Sequence, residues 1–193
     1  MNPTYEPYST KQEALDRLNA LACELRGKGF MEESRDVLFQ FQKKEMVVFD
    51  KTKWHYDGEF PQELDIFQAY VPTGMFVAWV VKNDLCSKRT RKSDASDIEL
   101  VRQDKMTGAQ FYRDNWDGVL SSSDLSAKAD AFTREYLNIH NDIYTAVDFT
   151  EIVAAGLPSI YHVEDTIENY RIIEPVISER YREWKRRNHS RTL

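Results

Sequence analysis

The chain has only two cysteines, seven glycines and six prolines among its 193 residues, and no apolar run of bilayer length. Cys23 and Cys86 stand far apart, without a further Cys or His at ligand spacing, so neither a disulfide framework nor a zinc knuckle is expected and a reducing, cytoplasmic setting fits. The scarcity of Gly and Pro excludes fibrous and low-complexity classes. The longest apolar stretch, GMFVAWVV at residues 74–81, is far short of the roughly 20 residues of a membrane span, and MNPTYEPYST at the start has neither the basic nor the apolar part of a secretion signal. No membrane partner is expected. A Gly-x-Ser-x-Gly elbow, a Gly-x-x-x-x-Gly-Lys loop and a Gly-x-Gly-x-x-Gly turn are all missing, which lowers the case for nucleophilic or nucleotide chemistry.

What is present is 41% hydrophobic and 30% charged residues with a net charge of -6, the balance of a helix-rich globular chain. The acidic balance disfavours nucleic acid, because a polyanion needs a basic face to displace counterions. The basic runs at residues 88–92 and 185–191 are the local exceptions, and the second reads as a solvated helix end where cations offset the macrodipole.

Along the chain, Thr10 and Glu13 form a capping box for a helix over residues 11–26, Gly27 and Gly29 stop it, and FMEESRDVLFQFQKK restarts a second helix. Residues 1–45 therefore read as an αα-hairpin. Its turn resembles one tetratricopeptide-type unit, but no second copy follows, so it is a packing element and not a solenoid. MVVF (46–49) is either a short strand or the apolar exit of the hairpin. QAYVPTGMFVAWVVKNDL predicts a buried helix with Pro72 in its first turn and Asn83 and Asp84 at its end. CSKRTRKSDASD, polar and mixed in charge, predicts an exposed loop or link.

Residues 97–105 predict a helix with Ile98 and Val101 inward, and Thr107 caps a short helix bearing Phe111, Tyr112 and Trp116 up to Gly118. Ser122 or Ser123 caps a longer one over residues 124–139, which continues towards Val153 after a break and stops at Gly156 and Pro158. In the last segment Asp165 or Thr166 is the cap, and Pro175 breaks or kinks the helix. The fold expected is mainly α: a compact multi-helix domain over residues 46–193 behind the hairpin, with any sheet small.

KWHYDGEFP (53–61), GMFVAW (74–79), TGAQF (107–111) and SIYHVEDTIENYRIIEPVISERYREWK (159–185) occur in one order, and with them the chain resembles a bacterial domain family of unknown function. It departs at Ile167, where such members often carry Trp, and by its N-terminal hairpin. The resemblance implies small cytoplasmic bacterial proteins, often encoded near toxin systems, some of them similar to immunity proteins. It brings no catalytic residues.

Two clusters offer chemistry. His55, Asp57 and Glu59, next to Trp54 and Tyr56, and His162, Glu164 and Asp165, next to Tyr161, combine imidazole and carboxylate groups that suit a transition metal or acid–base work. Against that, His-x-Glu-Asp is no zinc signature. The structural alternative has Trp54, Tyr56, Phe60 and Pro61 pinning a connection onto the core while His55 donates to a buried carbonyl or carboxylate, so that the first cluster clasps the last segment.

The preferred expectation is a binding protein of immunity type, leaning away from enzyme, that occludes the active site of a basic toxin domain encoded by a neighbouring gene. No cofactor is expected, and the nine residues from Trp54 to Asp165 just named are the candidate binding set. The rivals are a small metal-dependent or acid–base hydrolase using His55, His162 and Glu164, and a structural or regulatory adaptor built around the hairpin.

Overall fold

In the computed structural model residues 46–56, 60–138 and 141–189 are described, with Asp16, Arg17 and Ala20 before them; the chain divides into two compact units, Met1–Glu45 and Met46–Leu193. Asp16, Arg17 and Ala20 are helical and exposed. The rest of the expected αα-hairpin, Cys23 included, lies outside the described residues.

The second unit is organised around α2 (Val71–Lys82), in which every residue from Val71 to Val81 is buried. A helix apolar on all sides must be wrapped by others. Val71 and Pro72 open it, Asn83 caps it, and Asp84 leaves it in the left-handed conformation at φ 58°. Against it packs α5 (Gly108–Trp116), opened by a capping box in which Thr107 and Gln110 satisfy each other's backbone N–H groups. The crossing is closest at two glycines: a Cβ on Gly74 would lie 2.4 Å from Ala109 Cα, and one on Gly108 would lie 1.9 Å from the Gly74 carbonyl oxygen. No side chain fits between these backbones.

Strand β1 (Val48–Lys51) decides between the two readings of MVVF. It pairs antiparallel with β2 (Val119–Ser121), with a register irregularity between Val48 and Asp50. Such a bulge re-aims side chains, and here Phe49 packs against the core while Asp50 reaches α2 and α5. The short helix α1 (Thr52–Tyr56) follows, and a 3-10 turn (Ile66–Tyr70) capped by Asp65 leads into α2. The other sheet is two residues wide, β3 (Leu137–Asn138) against β4 (Asn141–Asp142). The fold is mainly α with small sheets.

Three expectations are corrected. CSKRTRKSDASD is not a loop: Ser87 caps α3 (Lys88–Ser93), which leads into α4 (Ala95–Arg102). Its polar side chains face water, but Cys86 bridges to Leu125, the Ser87 N–H donates to the Asp124 carbonyl at 2.8 Å, and Thr90 is buried. Next, Ser126, not Ser122 or Ser123, caps α6 (Ala127–Tyr136), because Ser121 and Asp124 close a turn in between. Finally, of the break or kink expected at Pro175, the break is excluded, because α7 (Ile167–His189) runs through it. Pro175 and Arg171, whose carbonyl loses its intrahelical donor, are both exposed, so the missing bond falls at exposed positions of the helix.

Between β4 and α7 lies a π-helix (Tyr144–Val153). Its i to i+5 period puts Tyr144 and Phe149 on one buried side, their rings 5.9 Å apart, and the Tyr144 hydroxyl donates to the Pro72 carbonyl at 2.6 Å. Among the described residues no helix is long and apolar enough to cross a membrane.

Candidate functional site

The segment KWHYDGEFP meets SIYHVEDT at one histidine. His55 Nε2 lies 3.0 Å from Asp50 Oδ1, and Nδ1 lies 2.9 Å from the Tyr161 hydroxyl. The helical turn of α1 carries His55 back over Asp50, five residues earlier, while a 3-10 turn (Ile160–His162), capped by Ser159, presents Tyr161. Gln68 ties the two sides together by donating to the carbonyls of Tyr161, at 2.9 Å, and Val163, at 3.1 Å. The other Asp50 oxygen accepts from Thr73 at 2.7 Å and lies 3.1 Å from the Tyr112 hydroxyl, whose one hydrogen has a nearer acceptor in the Gly118 carbonyl at 2.7 Å.

Burial and the neighbouring Asp50 carboxylate raise the Tyr161 phenol above its ordinary pKa, so its hydroxyl meets Nδ1 as a neutral phenol while Nε2 faces the Asp50 carboxylate. Tyr112 is raised by burial and by the same carboxylate. Carboxylate, imidazole and hydroxyl stand in the order of a catalytic triad, but the hydroxyl is a phenol whose proton is held more tightly than usual, the reverse of an activated nucleophile. Both imidazole nitrogens serve the chain's own fold.

The other candidates disperse. Tyr56 packs edge-on to Phe60 and tilts against Tyr70, and Phe60 meets Tyr161 at 4.9 Å. Trp54, expected to pin the segment down, is 47% exposed, with the Lys51 ammonium 5.6 Å from its ring centre. His162 lies on different partners from His55: Nδ1 is 2.9 Å from Ser159 Oγ and Nε2 is 3.7 Å from Glu63. Glu164 is exposed, and its carbonyl accepts from Thr166 and Asn169. Asp165 is not the cap of α7; Thr166 accepts from Asn169 N–H at 3.1 Å, while Asp165 accepts from Thr107 at 2.5 Å across to α5. Burial raises the Asp165 carboxyl above its usual pKa. Asp57 and Glu59 lie outside the described residues, and among the described ones no three of His, Cys, Asp and Glu group to hold a metal ion.

Sequence reasoning missed Asp50, Thr73, Tyr112 and Gln68, which complete the clasp, and a second polar centre altogether. Asp148, on the π-helix, is buried, accepts two bonds from Arg180 of α7 at 2.9 and 2.8 Å, and takes a third from Tyr136 at 2.7 Å. Beside it opens a cavity of about 430 Å³ between α6 and α7, with Arg134, Arg180, Arg187 and Trp184 among its walls. An i, i+4 pair, Asp130 and Arg134, was the one signal in the sequence for this region.

Residues 48–163, well over half of the chain, match the family model described as Domain of unknown function (DUF7832). The chain belongs to this family. The DUF7832 match takes in β1, the clasp and α2 through to Val163, just past the second 3-10 turn, so it contains Asp50, His55 and Tyr161 together. It ends before Glu164, and the remainder of the long C-terminal motif, with α7, lies beyond it. Among curated proteins and among solved structures, nothing matches the chain.

Proposed function

We propose that this DUF7832 protein is a binding protein of immunity type, acting in the cytoplasm on a basic toxin domain encoded by a neighbouring gene and occluding that domain's active site. The observation that carries the reading is a division of labour around the clasp. His55 and Tyr161 are engaged with each other and with Asp50, while Trp54 and Ile66, on segments that pack together, are 47% and 57% exposed. Exposed Trp is the side chain most enriched among residues that dominate interfaces. Glu63 and Asp65, just before the 3-10 turn at Ile66, and Glu164, just after the one at Tyr161, are exposed, and with the net charge of -6 they favour a basic partner through electrostatic steering. The toxin-directed part rests on the resemblance of the motif strings to immunity-like proteins.

Co-expression of the full chain with the product of the adjacent gene tests this. A stable complex, relief of toxicity and an association rate that falls with salt are expected. Trp54→Ala should weaken binding about tenfold or more while the unfolding midpoint stays unchanged. A neighbour-encoded protein that is neither bound nor neutralised overturns the reading. Binding that survives Trp54→Ala but vanishes when residues 1–45 are deleted transfers the function to the hairpin, as an adaptor.

A further inference from the structure

The cavity between α6 and α7 has a floor of rings and a rim of charge. Phe132 and Tyr136 are buried beneath it, and Ile143 and the half-buried Trp184 form apolar walls. Arg134, Arg180 and Arg187 supply cations, Glu135 and Glu183 supply anions. Its volume of about 430 Å³ lies in the range of small-molecule sites, about 300–1,000 Å³.

Two of the guanidinium groups are fixed from behind. Asp130 takes the Nε–H of Arg134 at 3.0 Å, and Asp148 takes Nε–H and one Nη2–H of Arg180. Both carboxylates are buried; two bonds to the Nε–Nη2 edge set the plane of Arg180, one bond at Nε and the Phe49 ring at 5.9 Å place Arg134, and the Nη1 group of each keeps donors to spare. At the mouth, Glu135 accepts from Trp184 Nε1 at 2.9 Å and lies 3.5 Å from Arg187 Nη2, which leaves Glu135 neutralised by its own neighbours. Asp130, Asp148 and Glu135 each answer one guanidinium, so what the cavity offers is spare guanidinium N–H donors, with Glu183 as the carboxylate left over beside Arg180.

We infer that this cavity binds a small organic oxyanion with an aromatic or bulky apolar body, its carboxylate or phosphate bonded by Arg134 and Arg180 and its body seated on Phe132, Tyr136 and Trp184. The preset guanidinium edges match a two-oxygen acceptor, and the ring floor gains from covering an apolar body. The site is independent of the clasp and of the proposed protein partner.

Calorimetric titration of the full chain with naphthoate, naphthylmethylamine and acetate tests it. Naphthoate should bind at least about tenfold more tightly than acetate, which lacks the ring, and than the amine, which reverses the charge. Arg187→Glu, at an exposed rim position, should weaken naphthoate about tenfold, and Glu183→Gln should strengthen it by a few-fold. Circular dichroism reports whether each variant is folded; if Arg187→Glu is not, the opposite-sign effect of Glu183→Gln decides alone. Equal binding of acid and amine, no measurable naphthoate binding, or a folded Glu183→Gln protein with unchanged or weaker affinity overturns the inference. Naphthyl phosphate in place of naphthoate separates a phosphate preference from a carboxylate one.

Discussion

Two inward-facing aspartates, Asp50 and Asp148, are held by opposite means. Asp148 is matched by a full cation, Arg180, with Tyr136 as a third donor. Asp50 is matched by groups without a fixed charge: Thr73, the imidazole of His55 and, more distantly, a Tyr112 hydroxyl shared with the Gly118 carbonyl. A charge-paired centre is costly where half removed, because the survivor loses its counter-ion and, for the 41% exposed Arg180, has only water in exchange. A centre built from several separate donors degrades in steps, each lost donor costing one hydrogen bond. The first welds the π-helix to α7; the second joins β1, α1, α2, α5 and the 3-10 turn at Tyr161.

Asp148→Ala should show the largest effect, about 2–4 kcal/mol in urea denaturation, since it leaves the buried Tyr136 hydroxyl without its acceptor and Arg180, 41% exposed, with only water in place of its carboxylate. Changing Asp148 and Arg180 together, to Leu and Met, should recover most of that; a double variant as unstable as Asp148→Ala would mean the loss is one of packing and not of charge. Asp50→Ala should come next at about 2 kcal/mol, because Thr73 and His55 lose their acceptor while Tyr112 keeps the Gly118 carbonyl. His55→Ala should cost only about 1 kcal/mol, since Thr73 still serves Asp50. Equal losses for His55→Ala and Asp148→Ala would erase the distinction drawn between the two centres.

Asp165 sharpens the comparison as a carboxyl with one neutral donor, Thr107, and burial that raises its pKa. Because the folded state holds this proton to higher pH than the unfolded chain does, the contribution of Asp165 to stability is greatest in acid. It falls as pH rises from the unfolded pKa, about 4, through the raised folded value. Asp165→Asn keeps an acceptor for Thr107, so it should flatten that slope and stabilise the protein at neutral pH by under about 1 kcal/mol. A steeper slope, read from denaturation at several pH values, would count against burial as the cause.

Burial also pushes the Cys86 thiol up to about 12. In a Cys23→Ser background Cys86 should therefore resist iodoacetamide at pH 8 until the chain unfolds, as followed by mass spectrometry.

How far each region could be read from sequence follows from how local its causes are. Pro72 and an unbroken apolar run announced α2, and Thr107 announced α5, because capping and hydrophobicity act within a few residues. The clasp was half visible: an aromatic-rich segment far from any regular pattern asks for a surface to rest on, and Tyr161 was within the matching motif. Asp50 was not visible, since nothing within β1 tells that its side chain faces Thr73 and Tyr112. Asp148 and Arg180, 32 residues apart, resemble any two surface charges until π-helix and α7 are set side by side. The α3 segment failed for a related reason, as its polar surface hides the backbone bonds that anchor it to the turn before α6.

The π-helix makes this part of the molecule more sensitive to chain length than to chain chemistry. Tyr144, Asp148 and Phe149 reach their partners only while each turn holds an extra residue relative to an α-helix. Removing one residue at an exposed position such as Thr150 would let the turn relax to the commoner period and swing whatever follows round the axis, although no side chain in the core had changed. A conservative substitution there is silent by comparison, so insertions and deletions, not point changes, are the lesions this segment is least able to absorb.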